Sequence, residues 1–81
     1  MWYLVDIKIE AVTAYCDGGP TNAEIPIARR ILASAGCDVD DPATDLQFWL
    51  GEAYNAILSA IDDPAVRAMA DARISAILGG F

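Results

Sequence analysis

The stretch from Asp41 to Ile61, DPATDLQFWLGEAYNAILSAI, constrains this chain more than any other. Leu46, Leu50, Ala53, Ile57 and Ala60 recur at alternating steps of four and three. Trp49, Ala56 and Ile61 widen that line into a broad apolar face, the pattern of an amphipathic helix. Asp41 followed by Pro42 reads as its start. The carboxylate can accept a hydrogen bond from an unpaired first-turn amide, and the fixed φ of proline suits the first helical position. A helix this apolar has to be covered, so the expectation is a central helix over 41–61 with the rest of the chain packed around it.

Size limits what can do the covering. The 81 residues make one domain, 1–81, of modest core. Apolar residues are 56% of the chain and charged residues 21%, a globular rather than a disordered composition. The N-terminus lacks a basic segment, and the apolar run Trp2 to Val5 is stopped by Asp6, Lys8 and Glu10, so no signal peptide is read there. No apolar window reaches the length of a membrane span. The protein is therefore expected in the cytoplasm, with Cys16 and Cys37 as reduced thiols.

Residues Tyr3 to Ala11 alternate: Val5, Ile7 and Ile9 face one way, Asp6, Lys8 and Glu10 the other. A helical path through Val5, Ile9 and Val12 would leave Ile7 facing water, so the alternation predicts a β-strand, running on as far as Tyr15 before Asp17-Gly18-Gly19-Pro20 turns the chain. A strand needs a partner, which is either Thr21–Ile27 folding back as a hairpin or another chain. Thr21 and Glu24 also spell a capping box, but Pro26 disfavours helical backbone at Ile25. A helix is expected instead from about Pro26 to Ala35, with Ile27, Ala28, Ile31, Leu32 and Ala35 inward, Arg29 and Arg30 outward, and Gly36 as its stop.

The segment Asp40-Asp41-Pro42-Ala43 reappears as Asp62-Asp63-Pro64-Ala65, and both copies read as the same helix-start device. The second opens a last helix over about Pro64 to Leu78. Val66, Met69, Ala70, Ile74 and Ile77 are expected inward, Arg67 pairs with Asp71 outside, Gly79-Gly80 ends the helix, and Phe81 is frayed or folded back. The predicted fold class is thus α+β: an N-terminal β-strand or short hairpin followed by three α-helices packed around the central helix 41–61.

The chemistry is sparse. Without histidine the usual base for a serine or cysteine nucleophile is missing, two cysteines alone cannot close a zinc site, and no glycine-rich phosphate loop is present. No catalytic residue, cofactor or metal site is assigned, and the protein is not expected to be an enzyme. The acidic run Asp38, Asp40, Asp41 and Asp45 fails the EF-hand pattern at Pro42, and helix capping outweighs metal binding as its role. Phe48 falls beside Glu52, Asn55 and Ser59, away from the apolar line. It is either covered by the strand, the preferred reading, or exposed as an interface anchor.

Net charge is −7, which counts against direct contact with nucleic acid. It points instead to a protein partner with a basic surface, met by Asp38, Asp40, Asp41, Asp45, Phe48 and Glu52. In length, acidity, a strand with a few helices and missing catalytic residues, the chain resembles the small acidic proteins of phages and mobile elements, of the anti-CRISPR type. That resemblance implies an inhibitor occupying a basic, nucleic-acid-binding groove of a larger complex. The alternative is a structural or assembly module, such as a virion component or a small subunit of a helical complex. In an antiparallel pairing of the strand centred on Lys8, each Lys8 would face its twin and each Asp6 a Glu10, so a monomer is expected.

Overall fold

Val5, Ile9, Val12 and Cys16 are all buried, at steps of four, three and four, and that is the spacing of one face of a helix. Trp2–Asp17 accordingly forms helix α1. The computed structural model describes residues 1–79, and among them there is no strand. Three further helices follow: α2 (Glu24–Ser34), α3 (Leu46–Ser59) and α4 (Pro64–Gly79). The fold is all-α, and the expected N-terminal strand or hairpin is wrong.

The physical reason lies in where the backbone finds its partners. A helix satisfies its amides within the segment, whereas a strand over 3–11 depended on a partner that no neighbouring segment supplied. The β-branched content that favoured a strand is a weak preference, of tenths of a kcal/mol per residue, and packing overrides it. The glycines close the case. Gly18 adopts φ 87°, and the amides of Gly18 and Gly19 donate to the carbonyls of Tyr15 and Ala14, a Schellman stop for α1. Gly36 (φ 105°) ends α2 in the same way, with Gly36 and Cys37 donating to Ala33 and Leu32.

The capping box set aside in favour of Pro26 is formed. Thr21 N–H donates to Glu24 Oε1 (2.8 Å) and Glu24 N–H donates to Thr21 Oγ1 (3.3 Å). Pro26 is the third residue of α2, where its missing N–H would have had no intrahelical acceptor. Asn22 to Ile25 is therefore turn and helix, not extended chain.

The Asp-Pro echo divides into two different devices. Asp63 Oδ1 accepts from the amides of Ala65 (2.8 Å) and Val66 (3.4 Å), so Asp63 caps α4 with Pro64 in its first turn. Asp41 instead accepts from Ala43 N–H (2.9 Å) while its carbonyl accepts from Thr44, which makes 41–44 a turn. The helix begins four residues later than expected, capped by Asp45. It ends at Ser59, so Ile61, although buried, lies beyond it.

Helices α1 and α3 each pack against the three others, while α2 and α4 do not meet, so the centre is shared between α1 and α3 rather than held by one central helix. Ile9 and Val12 of α1 and Leu32 of α2 are the largest fully buried side chains. Leu50, Ala53, Tyr54 and Ile57 line α3, and Val66, Ala70 and Ile74 seat α4. Met69, expected inward, is exposed. Arg67 bonds the carbonyl of Ile61 rather than pairing with Asp71, while Arg73 reaches Asp6 (3.4 Å) and Glu10 (3.5 Å) and ties α4 to α1. The expectation for Phe81 lies outside the described residues.

Candidate functional site

Asp38, Asp40, Asp41 and Asp45 lie along the α2–α3 connection, and Phe48 and Glu52 stand one helical turn apart on the first half of α3. The connection is held from both ends. Arg29 of α2 pairs with Asp40 and also donates to the Val39 carbonyl (3.4 Å) and the Tyr15 hydroxyl (3.3 Å). The hydrogen bond to Asp40 is the largest influence raising the affinity of Arg29 for its proton. Cys37 is buried and Val39 half-buried beneath the loop. The Trp49 ring lies so close to Gly36 that a methyl group there would touch it at 3.7 Å.

Within the loop the carboxylates mostly serve the backbone. Asp38 Oδ1 accepts from Asp40 N–H (3.2 Å), and its carbonyl accepts from the Thr44 hydroxyl (2.8 Å). Asp45 Oδ1 accepts from Gln47 N–H (3.1 Å) and Phe48 N–H (3.4 Å). These bonds engage one oxygen of each carboxylate, and all four aspartates remain exposed. Glu52 is exposed as well, with no hydrogen bond of its own among the described residues. Asp40 is neutralised by Arg29, so the outward negative charge rests on Asp38, Asp41, Asp45 and Glu52.

Phe48 is 58% exposed, which corrects the preferred reading that it is covered. With helix in place of the strand, no described residue covers it. Its ring meets Trp49 edge-on, with centroids 5.2 Å apart and planes at 89°. An aromatic ring held from one side and open on the other stands between Asp45 and Glu52.

The end of α1 reaches α3 on a different side. Gln47 Nε2 donates to the carbonyl of Cys16 (3.5 Å), which fixes the end of α1 beside the first turn of α3, while the exposed Asp17 lines a separate depression with Glu10, Thr13 and Arg73. A strand from Tyr3 running on as far as Tyr15 hides this contact, although Gly18-Gly19 is also a helix-stop signal. Cys16 and Cys37 are buried free thiols. Burial first, then the charges of Asp17 and Cys37, pushes Cys16 up to about 11, and burial raises Cys37 too. Among the described residues no three carboxylate or thiol side chains converge as a metal site needs, and no helix is long and apolar enough to cross a membrane. No family model, curated protein or solved structure matches the chain.

Proposed function

We propose that this is a non-enzymatic protein that docks, through its acidic α2–α3 face, on a basic nucleic-acid-binding surface of a larger protein complex in the cytoplasm, as an inhibitor of the anti-CRISPR type. The observation that carries the reading is the exposed Phe48 on α3 between Asp45 and Glu52, following the braced loop that exposes Asp38 and Asp41. An aromatic anchor ringed by charge is the composition of an interface hot spot. Because Arg29, Trp49 and the backbone hold the loop before binding, little ordering entropy is lost on docking. The strand that formed part of the resemblance to such inhibitors is gone; size, acidity and the acidic face support the reading without it. At −7 per copy the chain repels itself and acts as a monomer in dilute solution.

The test is capture of partners from host lysate by the whole chain and by a Phe48→Ala, Glu52→Gln variant. The expected result is a nucleic-acid-binding protein retained by the first, lost by the second, and released as salt rises. The same partners on both chains, or binding indifferent to several-fold more salt, would remove the proposal.

A second reading, an assembly module, draws on α4. Its outer face exposes Ala65, Ala68, Ala72 and Ala76, small enough for a close helix contact, with Met69 beside them. It requires light scattering at a multiple of 8.6 kDa, where the first reading requires the monomer mass.

A further inference from the structure

Helix α1 is apolar on two sides. One side, Val5, Ile9, Val12 and Cys16, is spent in the core. The other side presents Leu4, 59% exposed, and Ile7, half-buried, toward Ile27 and Ile31 of α2. Between them lies an open depression of about 360 Å³, lined also by Pro26. A second depression, of about 480 Å³, continues from it toward the end of α3 and is walled by Val5, Ala56, Ile57 and Ile61. Leu4, Lys8, Arg30 and Ile31 line both. The two form one groove of two apolar lobes, with Lys8 and Arg30 at the border.

Those two cations set the groove apart. The chain has five, and the other three are engaged: Arg29 with Asp40, Arg73 with Asp6 and Glu10, Arg67 with the Ile61 carbonyl. Among the described residues neither Lys8 nor Arg30 is in an ion pair, and both are exposed. Among the described residues no carboxylate lines the first lobe, and Asp62 is the one carboxylate lining the second. On a surface otherwise dominated by acid, this is a local positive site framed by isoleucine and leucine.

We propose that this groove binds an amphipathic helix of a partner protein whose apolar stripe is interrupted near its middle by one carboxylate. Apolar side chains one or two turns apart enter the two lobes, as in helix-in-groove recognition, and the carboxylate meets Lys8 and Arg30 between them. The order of the site decides the occupant. A fatty acid carries its carboxylate at one end, which would leave one lobe empty. A second copy of this chain would bring −7 against −7. A single acid within an apolar stripe matches both the lobes and the charge.

The experiment titrates the ¹⁵N-labelled chain with a synthetic leucine-striped helical peptide bearing one central glutamate, and with the same peptide bearing lysine there. Laurate serves as the small amphiphile. Expected are shifts at Leu4, Ile7, Ile27 and Ile31, about tenfold tighter binding of the glutamate peptide, and reversal of that preference in a Lys8→Glu, Arg30→Glu chain. Both side chains are exposed, and an unchanged helical circular dichroism spectrum verifies that the variant folds. Equal binding of the two peptides, shifts confined to other faces, laurate binding where the peptide does not, or self-association through these residues would each overturn the proposal.

Discussion

The hydroxyl groups of Thr13 and Tyr54 lie 2.5 Å apart, joining α1 to α3 across 41 residues of sequence. Thr13 Oγ1 also donates to the Ile9 carbonyl at 2.7 Å, which uses its one proton. Tyr54 is therefore the donor and Thr13 the acceptor. Tyr54 is buried, so its O–H has been given a partner inside the core instead of water.

That direction makes the two truncations unequal. Tyr54→Phe removes the donor and leaves Thr13 bonded to Ile9, at a cost of about 1 kcal/mol. Thr13→Val strands a buried O–H, at a cost of about 1–3 kcal/mol. The double variant should be less destabilised than the two costs added, because no orphan remains. Urea unfolding of the four chains measures the cycle, and strict additivity would show that the bond does not hold the helices together.

Ile7 and Ile9 separate the helix from the strand. On a strand they would share one face and suffer alike when trimmed. In the helix Ile9 is fully buried and Ile7 half-buried at the groove. Ile9→Val is expected to cost about 0.5–1.5 kcal/mol, and Ile7→Val at most a few tenths. Equal losses in chemical denaturation would contradict α1 as described.

This pair also shows what the sequence held and where it misled. The apolar lines of α3 and α4, the glycine stop after α2 and the cap of α4 could be read because each is a local pattern with a local cause. The first helix could not, because Leu4, Ile7 and Tyr3 add apolar residues off the core face and blur the helical period into an alternating one. The residue that argued against a helix, Ile7, lines the groove. In the acidic face the residues were legible, but their arrangement was not. Asp41 and Asp45 both look like caps, and only the turn at 41–44 assigns the helix to Asp45.

The same division of roles predicts unequal costs for the aspartates. Asp63→Ala and Asp45→Ala each remove a carboxylate that accepts from two first-turn amides, and each should lower stability by about 1 kcal/mol. Asp41→Ala removes one turn contact on an exposed loop and should cost less than about 0.5 kcal/mol. Thermal unfolding followed by circular dichroism orders the three. A loss at Asp41 equal to the others would place the start of α3 at Pro42 after all.

Alkaline conditions should unfold the protein through its buried acids. Cys16 ordinarily titrates at 9.0 and is pushed up to about 11 in the fold, chiefly by burial. Below pH 9.0 the thiol is protonated in both states and stability does not depend on it. As pH rises from 9.0 to about 11 the unfolded chain releases this proton while the folded chain keeps it, so the unfolded state gains ground. Above that range the whole contribution has been lost. Cys37 and Tyr54 are raised by burial in the same direction, and they steepen the decline. The urea midpoint should therefore fall steadily across this interval. A Cys16→Ala chain is expected to begin less stable, from the lost packing, and to fall along a shallower slope that narrows the gap as pH rises. Parallel slopes for the two chains would mean that Cys16 is not desolvated in the native protein.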